Sequence, residues 1–388
     1  MSETAGTWIV VCGHLCLDII PVFPSARRAG EWFRPGGLSL VDAPVISTGG
    51  AVSNVGLALH RLGLPVRLAG RIGKDPFGTL ILERVSAQGA GLTDWIAAVQ
   101  GEVSSYTVVI NPPGIDRIFF HCPGANDTFQ ASQVPDEALR NAAVFHFGYP
   151  PLMEKVRSDG GAGLSGLFSR ARSHGALTSL DMTLPDPESS AGRTDWNAYL
   201  TRVLPSVDFF VPSVEELLYM CDRPRFDALS AGPGGIVGSI TLAEVAALCD
   251  RPLARGVSAV LVKLGERGAY LRTSGKGLEG RTGWAKRELY SPVFTVPKVA
   301  GTTGAGDSTI AGFLASIYRG LPPEDALTTA VAVGGCCVEA PDAVSGVRSW
   351  DDTSERVRAG WKRAQPSFSE PGWRPRGDGL WAGPHEAE

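Results

Sequence analysis

The sequence GTTGAGD at residues 301–307 is followed directly by the apolar run STIAGFL at residues 308–314. Small residues let the backbone approach a ligand closely, and the run after Asp307 predicts a helix. Backbone N–H groups at a helix N-terminus lack helical partners and lie at the positive end of the dipole, so they bind phosphate. The segment therefore predicts an anion-binding turn followed by a carboxylate that can accept a proton from an attacking hydroxyl.

Around this turn, apolar strand patterns alternate with helical periodicity along the chain. Strands are predicted at 8–12, 66–69, 144–147, 177–181, 209–211 and 259–263, and helices at 49–62, 80–88, 215–221, 242–248, 307–318 and 323–338. This alternation predicts an α/β protein with a mostly parallel sheet covered by helices. An ordinary glycine-rich turn with Asp307 as a helix cap also fits residues 301–307, but their position late in an α/β pattern favours a phosphate site.

Two regions break the alternation. Residues 21–44 are rich in Pro, Gly and Arg, and two strand patterns at 106–110 and 117–121 flank the turn at 111–114. Together they predict a small sheet outside the main one. The tail after Gln365 is rich in Pro, Gly and Trp without periodicity, so we expect residues 366–388 to form a loosely ordered extension.

Composition excludes several classes of protein. The 388 residues are 44% hydrophobic and 20% charged, which suits a large buried core. The net charge of −4 is spread along the chain, so we expect no nucleic-acid or membrane partner. The seven cysteines form no CxxC pair and predict neither zinc nor disulfides, as in a cytoplasmic protein. Residues 1–7 lack the pattern of a signal peptide, and the apolar run 8–12 is too short to span a bilayer.

The segment 301–307 resembles the C-terminal signature of the ribokinase-like (PfkB) carbohydrate kinases, usually Asp-Thr-x-Gly-Ala-Gly-Asp. Four more segments resemble other motifs of this family and occur in the same order as in the family. They are GHLCLD at 13–18, GGAVSNV at 49–55 with RLG at 61–63, GRIGKDPFG at 70–78 and VKLGERG at 262–268. The resemblance runs from about Val10 to Arg348. It implies a three-layer α/β/α sandwich over residues 8–350, with a small β-lid from about 18–44 and 104–122.

The resemblance also implies ATP-dependent phosphorylation of a sugar hydroxyl and a role for each matching residue. The implied catalytic residues are the base Asp307 and the anion-hole amides of Gly304, Ala305 and Gly306. The implied substrate-binding residues are Asp18, Gly49, Gly50 and Asn54. The implied ATP-binding residues are Lys263, Gly265, Gly268 and Thr303. Carboxylate and amide groups together suit a polyol. Without the resemblance, Asp18 and Asn54 fit ordinary caps of a strand end and a helix start, and Lys263 fits a solvated lysine at a strand end.

Metal binding is the least direct of these expectations. Glu216 lies in PSVEE at 212–216, which resembles the family motif Asn-x-x-Glu, whose Glu organises Mg²⁺ and phosphate largely through water. Ser213 replaces the usual Asn, and a surface carboxylate, with Glu215 adjacent, is the alternative. Gly301 replaces the first Asp of the signature, which in the family belongs to a loop that often holds a monovalent cation. We therefore do not expect K⁺ to bind or activate in the usual way.

Several functions stay open at this point. The expected ligands are ATP and a small sugar, with a nucleoside kinase on the same fold as the first alternative. A binding protein that kept the pocket is the second, and Gly301 and Ser213 are the features that favour it.

Because the lid pairs subunits in many relatives, a homodimer through the lid is expected. The segment HFGYPP at 146–151 follows a strand and either faces the substrate cleft or forms a structural loop.

Overall fold

The computed structural model describes residues 7–24, 32–33, 35–112, 118–278, 280–366 and 370–386. Within them the strands are β1 (Trp8–Gly13), β2 (Cys16–Val22), β3 (Asp42–Gly49), β4 (Val66–Gly73), β5 (Trp95–Val99), β6 (Tyr106–Ile110), β7 (Ile118–Cys122), β8 (Ala142–Gly148), β9 (Leu177–Leu180), β10 (Phe209–Phe210), β11 (Ala259–Lys263), β12 (Ala269–Thr273), β13 (Glu288–Ser291), β14 (Arg374–Gly377) and β15 (Leu380–Ala382). The α-helices are α1 (Ala51–Arg61), α2 (Pro76–Ser86), α3 (Asp136–Leu139), α4 (Glu154–Arg157), α5 (Ala162–Ser173), α6 (Trp196–Val203), α7 (Val214–Cys221), α8 (Arg223–Ser230), α9 (Gly235–Ser239), α10 (Leu242–Ala254), α11 (Ala305–Tyr318), α12 (Pro323–Cys337) and α13 (Trp350–Arg358).

The main sheet has eleven strands in the order β14-β15-β13-β12-β11-β10-β9-β8-β1-β4-β5. Neighbouring strands from β5 across to β11 run parallel, and the pairs from β11 outward to β14 are antiparallel. The predicted α/β class with a mostly parallel sheet is therefore confirmed.

Strand β1 shows why helices cover both faces of this sheet. Its side chains alternate, with Ile9 and Val11 in the core that contains α1, α11 and α12. Val10 and Cys12 point to the opposite core, which contains α5, α7 and α10. All four residues are fully buried, as expected for a central parallel strand with apolar residues on both faces. The result is the three-layer α/β/α sandwich.

A second, four-stranded sheet stands apart from the first, in the order β3-β2-β6-β7. Strands β6 and β7 correspond to the strands predicted at 106–110 and 117–121, whereas β2 and β3 flank the region 21–44 and overlap only its ends. The small separate sheet is therefore confirmed. Parts of the predicted lid, residues 25–31, 34 and 113–117, lie outside the described residues, as does part of the turn predicted at 111–114. We call the four strands of this sheet the lid.

The C-terminal segment differs from the expected loosely ordered extension. Strands β14 and β15 form a hairpin that extends the main sheet, with Leu289 opposite Ala382. The Glu386 side chain is 1% exposed and accepts a hydrogen bond of 2.6 Å from Arg287 Nε. These strands have only four and three residues, which is too short for a periodic pattern, and their partner strand lies far away in the sequence.

Some observed helix ends differ by a few residues from the predicted ones. Helix α2 begins at Pro76 because the Asp75 side chain accepts a hydrogen bond of 2.7 Å from Gly78 N. Helix α10 continues past the expected end at 248 to Ala254 and contains Pro252. Among the described residues, no helix combines the length and the apolar character needed to cross a bilayer.

Candidate active site

The turn that opens the sequence lies at the N-terminus of α11. Gly304 is the N-cap residue, with φ of 74°, and an added Cβ would overlap Ala343. Only glycine both adopts this positive φ easily and leaves the space that Ala343 needs. Asp307 lies in the first helical turn and is 5% exposed. The first turn of the helix and a buried carboxylate therefore lie at one place, and the Ala305 amide donates to Thr302 O at 3.3 Å.

Both carboxylate oxygens of Asp307 accept hydrogen bonds from side chains. Asn54 Nδ2 donates to Oδ2 at 3.0 Å, and the Tyr149 hydroxyl donates to Oδ1 at 2.8 Å. Burial raises the pKa of Asp307, while the Lys263 ammonium and these two hydrogen bonds act in the opposite direction. A carboxylate with a raised pKa, fixed at both oxygens, is suited to accept a proton.

Asn54 reaches Asp307 because α1 packs against α11. Gly50 is the N-cap residue of α1, with φ of 85°, and Asn54 lies in the first turn of that helix. The Asn54 side chain is directed to Asp307 rather than to the helix end, so it is not a cap, and Ser53 Oγ instead donates to Gly49 O at 2.9 Å. The two motifs 253 positions apart therefore meet at one carboxylate.

Asp18 lies on lid strand β2, and an added Cβ at Gly49 would overlap its carboxylate. The structure therefore brings Asp18 together with the paired glycines that precede α1. Burial raises the pKa of Asp18 to about 6, although hydrogen bonds from Cys16 and Thr107 act in the opposite direction. Cys16 Sγ donates to Oδ1 at 3.4 Å. Asp18 is thus a buried carboxylate on the inner side of the lid.

Two histidines connect the lid to the main domain beside this carboxylate. His14 Nε2 lies 3.2 Å from Nε2 of His121, which belongs to lid strand β7. His121 Nδ1 lies 3.0 Å from the Thr107 hydroxyl. Burial lowers the pKa of His121 to about 4 and that of His14 well below its usual value. Both rings are therefore neutral near pH 7 and can share one hydrogen.

Because the resemblance implies that Asp18 binds the acceptor, we expect acceptor binding to weaken as the pH falls through about 6. Protonated Asp18 is uncharged and carries an O–H donor, so it accepts hydrogen bonds from acceptor hydroxyls less well, and its pKa of about 6 makes this form abundant in mildly acidic solution. Between pH 7 and pH 5 the ionised fraction falls about tenfold, so kcat/KM for the acceptor should fall by a similar factor. Steady-state kinetics across this range test the expectation. Asp18→Asn is the matched control, and a step near pH 6 that persists in this variant would assign the titration to another group.

Lys263 ends strand β11 among carboxylates. Its Nζ lies 2.7 Å from Asp181 Oδ1 and 3.9 Å from Glu216 Oε2. It is also 3.8 Å from the position that a Cβ on Gly306 would occupy. The Lys263 side chain is 12% exposed, so it is not a solvated strand-end lysine. Burial opposes its charge, but the carboxylates of Asp181 and Glu216 raise its pKa above the usual value.

Glu216 has a structural contact that affects its expected metal role. It forms a capping box with Ser213 at the start of α7, where Ser213 N donates to Glu216 Oε2 at 2.6 Å. Burial raises the pKa of Glu216, and Lys263 counteracts this. No three His, Cys, Asp or Glu side chains within the described residues form a direct metal site. This donor set fits Mg²⁺ held mainly by phosphate and water, with Glu216 in contact through water.

The remaining predicted residues lie in two turns, one after strand β11 and one before helix α11. Gly265 and Gly268 form a tight turn directly after Lys263, in which Gly268 N donates to Gly265 O at 3.1 Å. Thr303 precedes the N-cap Gly304, and the Thr303 carbonyl accepts a hydrogen bond of 3.6 Å from Cys337 Sγ. A Cβ added to Gly301 would lie 2.9 Å from Pro341 O and 3.1 Å from Ala340 O. The loop is therefore closely packed where the family has an aspartate.

Sequence reasoning assigned no role to Asp181, and it placed Tyr149 only within the segment 146–151, which was expected either to face the substrate cleft or to form a structural loop. Tyr149 follows the carboxyl end of β8, and Asp181 follows that of β9. Ligands of open α/β sheets bind beyond the carboxyl ends of their strands. That rule, applied to every predicted strand, could have identified both residues.

The comparisons with known proteins show the family and the fold. Residues 7–350 match the family described as pfkB family carbohydrate kinase. The 2-dehydro-3-deoxygluconokinase of Bacillus subtilis (strain 168) is 26% identical over 322 residues, covering 80% of this chain and 87% of that protein.

Solved structures share the fold. The Arabidopsis thaliana ribokinase complexed with ribose and ATP has a TM-score of 0.69 at 20% identity, covering 90% of this chain and 98% of that one. The Burkholderia thailandensis nucleoside kinase in complex with inosine has a TM-score of 0.64 at 20% identity, covering 92% and 100%. Since a sugar kinase and a nucleoside kinase share this fold, the fold alone does not select the acceptor.

Proposed function

This chain belongs to the pfkB family of carbohydrate kinases and is an ATP-dependent carbohydrate kinase; we propose that it phosphorylates a hydroxyl of a small sugar or sugar-like polyol, with Asp307 as general base. One observation carries the proposal: the buried Asp307 carboxylate lies in the first turn of α11, and Asn54 binds it from the opposite motif. A base at a helix N-terminus combines proton acceptance with stabilisation of the transferring phosphoryl group.

The proposed mechanism assigns a step to each group. Asp18 and Asn54 bind acceptor hydroxyls beside Gly49 and Gly50, and Asp307 takes the proton of the attacking hydroxyl. The oxygen of this acceptor hydroxyl forms a bond to the γ-phosphorus of ATP as the bond between that phosphorus and the ADP oxygen breaks. The amides of Gly304, Ala305 and Gly306 stabilise the phosphoryl oxygens, and Lys263 lies beside them.

The nucleotide and metal assignments complete the proposal. ATP binds along Lys263, Gly265, Gly268 and Thr303. Glu216 would hold Mg²⁺ through water, and the bound ion would neutralise charge on the phosphates. We also propose that K⁺ is not required, because the loop at Gly301 lacks the carboxylate and is closely packed against the carbonyls of Ala340 and Pro341.

An ADP-release screen tests the function. Sugars, sugar acids and nucleosides are supplied under identical conditions with Mg²⁺ and ATP, with and without K⁺. Turnover on a sugar or polyol supports the proposal, and turnover restricted to nucleosides would replace it with the nucleoside-kinase alternative. No turnover on any acceptor, together with measurable ATP binding by calorimetry, would support a binding protein instead.

We further propose a homodimer formed through the lid. Most exposed large apolar side chains of the described residues lie on or beside the lid, including Leu38 (85% exposed), Leu40 (73%) and Phe120 (62%). A monomer rarely exposes such a cluster. Burying it against a second copy would remove this area from water.

The lid dimer leads to a direct prediction. Phe120→Asp should convert a dimer to a monomer, because it places a charge in the apolar contact. Light scattering after size exclusion measures the mass. Val299→Asp is the matched control, since Val299 is 57% exposed and lies outside the lid. A monomeric wild type, or dimers in both variants, would contradict the proposed interface.

A further inference from the structure

Tyr149 is the residue closest to the base that the proposed mechanism leaves without a role. Its hydroxyl donates to Asp307 Oδ1 at 2.8 Å. Burial and the Asp307 carboxylate raise the pKa of Tyr149 well above its usual value, so the phenol remains a neutral donor. Oδ1 is also one of the two atoms that can take the proton of the acceptor alcohol. The phenol therefore binds where an alcohol would bind.

The backbone of Tyr149 shows that this placement is imposed by the surrounding structure. Tyr149 has φ of 64°, in the left-handed region, which is an outlier for a bulky side chain and is energetically unfavourable. Strand β8 delivers it there through Gly148, where an added Cβ would overlap Ala51 at the start of α1. The packing of β8 against α1 thus fixes the backbone of Tyr149 next to Asp307 and Asn54. Such strain is typical of functional positions.

A kinase with a buried base must also avoid activating water. Water at Oδ1 could lose its proton to Asp307 while its oxygen attacks the γ-phosphorus, which would release ADP and phosphate. Asn54 already donates to Oδ2, so Oδ1 is the oxygen at issue. A hydroxyl that donates to Oδ1 competes with water for that position.

We propose that the Tyr149 hydroxyl occupies the acceptor position on Asp307 in the sugar-free enzyme and limits ATP hydrolysis. The inference rests on the proposed role of Asp307 as base. A sugar displaces the phenol because its other hydroxyls also bind Asp18 and Asn54, and that binding energy compensates for the lost hydrogen bond. Water has no such additional contacts. Tyr149 thus makes access to the base depend on the bound acceptor.

Tyr149→Phe tests this role, since it removes the hydroxyl and keeps the ring. Sugar-free ADP release should rise about tenfold or more relative to sugar-dependent turnover, the effect of losing one hydrogen bond to a charged group. The double variant Tyr149→Phe/Asp307→Asn should lose this increase, because the activated water depends on the base. Tyr219→Phe is the matched control: its hydroxyl donates to Gly192 O at 3.1 Å, in a different core.

The outcomes separate this inference from the proposed function. Unchanged sugar-free ADP release in Tyr149→Phe would overturn the guarding role, as would an increase that persists in the double variant. A wild type without turnover on any acceptor would overturn the kinase assignment. Even then, a base-dependent rise in ATP hydrolysis would still support Tyr149 as the group that excludes water.

Discussion

Replacing Asp307 by asparagine is expected to lower kcat by at least about a hundredfold, the usual effect of removing a general base. The KM values for ATP and acceptor should change much less. An asparagine at 307 retains the size of the side chain and an oxygen that can accept from Asn54. The measurement is initial-rate ADP release with the acceptor found in the screen. Equal kcat in both proteins would exclude Asp307 as the base.

The same substitution should not weaken the fold, which makes the loss of activity interpretable. Burial raises the pKa of Asp307, so folding favours its protonated form. For an acid whose pKa is raised in the folded state, stability falls as pH rises through that pKa. Asp307→Asn removes this cost. We therefore expect equal or higher thermal stability near pH 7, and a strongly destabilised variant would make the kinetic result unusable as evidence for a base.

Some residues of the candidate site can be predicted from the sequence, and others cannot. Asp307, Asn54 and Asp18 belong to glycine-rich motifs, whose small residues indicate close backbone approach to a ligand. Tyr149 and Asp181 follow strand ends, and only Tyr149 has a glycine, Gly148, beside it. Their roles depend on which strands lie side by side, and pairing between β8 and β9 is a tertiary property. A single sequence can mark both residues as strand-end candidates, but its local pattern does not contain the order of the strands in the sheet.

The C-terminal hairpin was missed for a related reason. Strand β15 pairs with β13, about ninety residues earlier in the chain, and helical or strand periodicity reports only on local neighbours. Composition rich in Pro and Gly indicates turns, but it does not distinguish a loose tail from short strands that complete a sheet edge. The central strands were predictable because each one is a continuous apolar run, as in β1 and β11.

Lys263→Met is expected to destabilise the protein by about 3–5 kcal/mol, because it removes the partner of a buried carboxylate. Asp181 is completely buried and lies 2.7 Å from Lys263 Nζ. Its second oxygen, Oδ2, has no hydrogen-bond partner, so the ammonium is its principal compensation. Denaturant unfolding measures the change. The matched control is Arg225→Met, which breaks an exposed pair with Glu244 and should cost at most about 1 kcal/mol.

A second substitution separates the structural role of Lys263 from its role toward phosphate. Lys263→Met/Asp181→Asn removes both charges, so most of the lost stability should return. Activity should stay low by roughly a hundredfold, as is typical when one group that stabilises the transition-state charge is lost. If the double variant regains both stability and kcat, Lys263 serves only to neutralise Asp181. If the double variant regains stability but not kcat, the Lys263 ammonium beside Gly306 acts on the transferring phosphoryl group. The buried Asp181 then serves to hold this ammonium in position.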